Sequence, residues 1–135
     1  GIVKGFQLRR GAVSTTIAHD SHNVICIGMN DAEMDIAIKE MERTGGGIAV
    51  VQDGKVTASL SLPIGGLMTN ISPQELNEAY GNVITALKNL GITDDFSPLL
   101  TLSFLALPVI PSLKLTNRGL FDVEQFAFVD IGVKE

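Results

Sequence analysis

At 135 residues the chain fits one domain of ordinary size rather than two. With 45% hydrophobic and 19% charged residues it can build a core, which argues against disorder; with 5% aromatics and no Trp, that core must be mostly Val, Ile, Leu, Met and Ala. Ten Lys plus Arg against fifteen Asp plus Glu leave a net charge of −5, and no basic cluster exceeds Arg9-Arg10. Nucleic acid is therefore not an expected partner, although an uncharged base or nucleoside is compatible with this balance.

The opening Gly1-Ile2-Val3-Lys4-Gly5 has no apolar run of signal-peptide length, and its abrupt start without Met suggests a piece of something longer. Residues 12–18, rich in β-branched side chains, read as a strand, and residues 23–29, more uniformly apolar, as a second and buried one. The polar segment His19-Asp20-Ser21-His22 between them reads as a hairpin connection. Cys26 lies in the second strand, where a small buried hydrophobe is the expected role. As the single cysteine it permits no intrachain disulfide, which fits a reducing cytoplasm.

Asn30 is a plausible N-cap with Glu33 three residues on, and Met34, Ala37, Ile38 and Met41 follow as one apolar stripe of a helix that Gly45 closes. Residues 47–51 predict a strand, Asp53-Gly54 a two-residue type I′ hairpin turn, and residues 55–62 the returning strand. A second helix is announced by Ser72, Pro73 and Glu75 as cap, first turn and capping box. Leu76, Ala79, Tyr80, Val83, Leu87 and Leu90 form its stripe, and Gly91 stops it. Residues 99–107 fit a strand or a short buried helix equally, ended by Pro108 and Pro111. Asn117-Arg118-Gly119 marks a turn and residues 123–129 a last strand. This order predicts an α+β fold with a largely antiparallel sheet and two main helices packed on one face. The longest apolar stretch, residues 99–110, is well short of the roughly 20 needed to span a bilayer, so no membrane association is expected.

One dense polar cluster has ligand chemistry: residues 19–23 hold both histidines of the chain. His19, Asp20 and His22 are candidate metal ligands, because imidazole nitrogen and carboxylate oxygen are ordinary donors to transition metals. The competing reading is a polar turn bonded to its own backbone. Gly45-Gly46-Gly47 lacks the Lys and following helix of a phosphate loop and reads as a helix stop and strand entry. Gly65-Gly66 permits close backbone approach, and Thr101 and Ser103 either meet a ligand or face solvent. No Ser-His-Asp set, His-x-His pair, Cys-x-x-Cys or Walker loop can be argued, so no catalytic residue is assigned and the chain is under-equipped for a complete hydrolase.

The string Ala18-His19-Asp20-Ser21-His22-Asn23, preceded by Lys4-Gly5-Phe6 and Arg10-Gly11-Ala12, resembles the C-terminal domain of bacterial and archaeal adenine deaminases. Further segments agree in order: Gly45-Gly46-Gly47 with Asp53-Gly54-Lys55, then Leu62-Pro63-Ile64 through Gly66-Leu67-Met68. The last runs from Thr101-Leu102-Ser103-Phe104-Leu105-Ala106-Leu107-Pro108 to Gly119-Leu120, so the similarity covers nearly the whole chain. The resemblance implies an amidohydrolase-type enzyme that hydrolyses adenine to hypoxanthine and ammonia at a manganese or iron centre. Its main metal ligands lie in a (β/α)8 barrel absent from these residues. It implies that the chain, inactive alone, packs on that barrel of the same protein, in a homo-oligomer, with an accessory metal at His19, Asp20 and His22 as one form of its contribution. A purely structural or oligomerisation domain, and a stand-alone small-molecule binding module, are the alternatives.

Overall fold

A computed structural model describes residues 1–93 and 95–132. Strands β1 (Ala12–Thr15), β2 (Ile25–Gly28), β3 (Gly47–Gln52) and β4 (Lys55–Ser61) form an antiparallel sheet in the order β2-β1-β3-β4. Helix α1 (Asp31–Thr44) joins β2 to β3, while α2 (Pro73–Asn89) and the short α3 (Pro98–Ser103) follow β4. Strands β5 (Leu113–Thr116), β6 (Gly119–Asp122) and β7 (Ala127–Phe128) make a second antiparallel sheet. The class is the expected α+β with antiparallel sheets.

The helices do not share one face. Across β1 and β3, Ala12 pairs with Val51 and Val13 with Val50, and successive side chains point to opposite sides. Ala12 and Val51 pack with Ala37 of α1, and the Ser14 hydroxyl donates to the Ala37 carbonyl at 2.8 Å. Val13 and Val50 join the larger cluster with Val83 and Leu87 of α2 and Leu102 of α3. So α1 covers one face, and α2 and α3 cover the other. The physical reason is visible in β3, whose Ile48-Ala49-Val50-Val51 run is apolar at consecutive positions and leaves two faces to bury. β2, expected to be buried, is the sheet's edge and only half-buried.

The caps form as their residues dictate. Asn30 Oδ1 accepts the Glu33 N–H at 2.9 Å, and Gly45 ends α1 with φ 73°. Ser72 and Glu75 close a capping box at the start of α2. At its end the Gly91 N–H bonds the Lys88 carbonyl and the Ile92 N–H that of Leu87, a Schellman closure. The apolar stripe of α1 is rotated from expectation: Ala37 and Met41 are buried, Ile38 is exposed, and Glu40 is buried in its place. Arg43 donates twice to the Glu40 carboxylate, at 2.7 Å each. These bonds, helped by Ser59 and opposed by burial, hold its carboxyl below the usual carboxylate range.

The ambiguous 99–107 stretch resolves as helix α3, with Pro98 in its first turn and Leu102 fully buried. The strand expected over residues 123–129 shrinks to Ala127–Phe128, because Asp122 Oδ1 accepts the N–H groups of Glu124 and Gln125 and turns the chain instead. Among the described residues no helix is long and apolar enough to cross a membrane.

Candidate functional site

Sheet register decides where the loops gather. Thr15 faces Ile25 on one side and Ile48 on the other, and Gly47 faces Ser61. The β1–β2 connection, the stop of α1 and the segment after β4 therefore leave the sheet at one end. α3 joins them there, since the His19 N–H donates to the Ser103 carbonyl at 2.9 Å. Four of the segments that carry the resemblance thus converge in space, while the Asp53-Gly54 turn lies at the opposite end with φ 52° and 71°, as a type I′ turn requires.

Thr16 ties this end together. Its hydroxyl accepts the Gly47 N–H at 2.8 Å and donates to the Gly66 carbonyl at 2.6 Å. The 64–68 turn closes on itself through paired Ile64 and Met68 backbone bonds. It rests so close to Gly46 that a Cβ there would stand 2.6 Å from the Gly66 Cα, a clash only glycine avoids. The turn leaves Ile64, Leu67 and Met68 exposed.

On the other side of Thr16 lies the 19–23 loop. The half-buried His19 ring stacks on Phe104, with centroids 4.8 Å apart and planes at 25°, and meets His22 edge-on at 5.9 Å. The His22 N–H donates to the Ala18 carbonyl at 2.7 Å, holding that residue at φ 51°. Asp20, Ser21, His22 and Asn23 are exposed. The fold brings the two imidazoles together but does not bring Asp20 into a three-ligand set with them. Among the described residues no three His, Cys, Asp or Glu side chains group to hold a metal. Two imidazoles alone fall short of the three or four protein ligands of an ordinary transition-metal site. Of the other candidates, the Ser103 hydroxyl is spent on the Leu100 carbonyl at 2.7 Å, and Thr101 is exposed. Burial pushes the Cys26 thiol up to about 11, which keeps it an unreactive apolar side chain.

A further feature had no signature in sequence. A groove of about 680 Å³ starts at Asn23 and Val24 and follows the open edge of β2, between Ile38 of α1 and Leu113 and Leu115 of β5. Its walls come from separated segments, so no local pattern announces it. Phe104, as partner of His19, was likewise visible only as an apolar residue.

Residues 1–127 match the family described as adenine deaminase C-terminal domain. The chain belongs to this family. Similar proteins carry the name adenine deaminase: the one from Nitratidesulfovibrio vulgaris strain DP4 is 53% identical over 134 residues, covering 98% of this chain and 23% of its own length. That from Halalkalibacterium halodurans is 55% identical over 130 residues, 96% of this chain and 22% of its own. Adenine deaminase 2 of Carboxydothermus hydrogenoformans is 44% identical over 133 residues, with 98% and 23% covered. The adenine deaminase C-terminal domain seen here thus spans less than a quarter of the length of these relatives.

Proposed function

We propose that this chain is the single C-terminal accessory domain of an enzyme that hydrolyses adenine to hypoxanthine and ammonia, and that it is inactive without the catalytic part. The family membership supports the enzyme class. The observation that carries the local role is the convergence of the 19–23 loop, the glycine stop of α1, the 64–68 turn and Phe104 at one end of the sheet. That end combines exposed donors with exposed apolar side chains, as a surface that packs against another body and shapes a site needs. Adenine, an uncharged base, suits the acidic balance of the chain better than a phosphorylated substrate.

The manganese or iron of such an enzyme would lower the pKa of a bound water. Its main ligands would stand outside this chain, which supplies no complete set. His19, Asp20 and His22 are proposed to act at the joint, as partners of groups on the catalytic part or as an accessory site completed by donors from it. We place the whole protein in the cytoplasm as a homo-oligomer.

The test is His19→Ala with His22→Ala in the full-length enzyme. Turnover of adenine is expected to fall by roughly 10- to 100-fold, the range seen when residues supporting metal ligands are lost, with oligomeric state unchanged. Unchanged turnover and unchanged metal content would sink the accessory role and leave a scaffold that only stabilises its partner.

A further inference from the structure

We propose that the groove along β2 is the seat of the catalytic part of the same polypeptide, one docked body filling it and reaching the 19–23 loop at its end. This rests on the reading above, that the chain is one domain of a longer adenine deaminase.

The groove has the marks of a covered surface. β2 ends its sheet, and an open apolar strand edge is normally paired or covered. Val24, Ile38, Leu113 and Leu115 are 45%, 45%, 51% and 43% exposed around it, and Ile2, which also lines it, is fully exposed. Among the described residues Lys4 is its single charged lining side chain, and depletion of charge distinguishes the core of an interface from ordinary surface. Ile38 is informative: it belongs to the apolar spacing of α1, yet it faces the groove instead of the sheet.

The relatives indicate the occupant. This chain corresponds to their C-terminal part and to only 22–23% of their length, so a body several times larger belongs to the same polypeptide. Residues 1–4, where the greater part of a relative connects, line the groove itself. An occupant tethered through residues 1–4 is held at high effective concentration, so it docks without strong intrinsic affinity. Asn23, Leu105 and Ala106 also line it, and they adjoin His22 and Phe104 in the chain. A body seated along β2 therefore also adjoins the histidine loop.

The experiment uses the full-length protein in a Cys26→Ala background, with single cysteines introduced as Val24→Cys, Ile38→Cys and Leu115→Cys, and Lys55→Cys on the far hairpin as reference. The rate of maleimide labelling is measured over a range of protein concentrations, and adenine deamination is measured on the same samples. The groove thiols are expected to react about tenfold or more slowly than the reference at every dilution, as when the open form is at most about a tenth of the population. Labelling as fast as the reference overturns the proposal, and so does protection that disappears on dilution, which would mean a second copy is seated there. Protected thiols in a protein without deaminase activity would overturn the enzymatic reading while supporting the docking. An active protein with open groove thiols would do the reverse.

Discussion

Thr16 connects the entry of β3 and the 64–68 turn through their glycines. One hydroxyl accepts from Gly47 and donates to Gly66, and both partners are buried. Thr16→Val keeps the shape and removes both bonds, leaving a buried N–H and a buried carbonyl without this partner. The expected loss is about 1–3 kcal/mol in urea unfolding, with Thr16→Ser retaining most of the stability. Faster proteolytic cleavage in the 64–68 turn of the Val variant would show that the hydroxyl positions the turn; cleavage at the wild-type rate would reduce it to a general stability effect. At this scale the sequence was legible only in part. His19 and His22 stood out because they are the chain's two histidines, whereas Thr16 was one β-branched residue among several. Phe104 acquires its place beside His19 only because the Ser103 carbonyl receives the His19 N–H.

Elements whose signals are local were read correctly. The capping box of α2 needs only Ser72, Pro73 and Glu75, and its effect is testable in the same local terms. Ser72→Ala is expected to lower stability by about 1 kcal/mol, measured by denaturant titration, while Ser72→Asp stays close to the parent. A loss below experimental error would mean that packing of Val83, Leu87 and Leu90 alone sets the start of the helix. Type I′ geometry at Asp53-Gly54 and the glycine stops after α1 and α2 follow from the same short-range physics. The failures are equally instructive. Residues 99–107 carry an apolar pattern that a short strand and a short helix satisfy alike, and the choice fell to the depth of Leu102 in the core. The strand expected over 123–129 gave way to the Asp122 turn, since a carboxylate that bonds two backbone N–H groups competes directly with the ladder. The hairpin of β5 and β6 was anticipated at its turn but not in its strands, which are four residues each and only partly buried.

At the scale of the whole molecule, one sheet separates two apolar clusters of unequal size. Leu87 lies in the larger, fully enclosed one, and Met34 borders the smaller. Leu87→Ala is expected to cost about 2–5 kcal/mol and Met34→Ala distinctly less, by equilibrium unfolding with both variants measured against the parent. Comparable losses would contradict the assignment of the main core to the α2 side. The sequence by itself determined the fold class, most helix and strand positions, and the family, because caps, turns and long apolar runs are properties of neighbouring residues. It did not determine on which face each helix lies, the rotation of Ile38 outward and Glu40 inward, or the groove. Those depend on register: pairing Thr15 with both Ile25 and Ile48 gathers the histidine loop, the glycines and Phe104 at one end, and residues distant in sequence become neighbours only once the strands have paired.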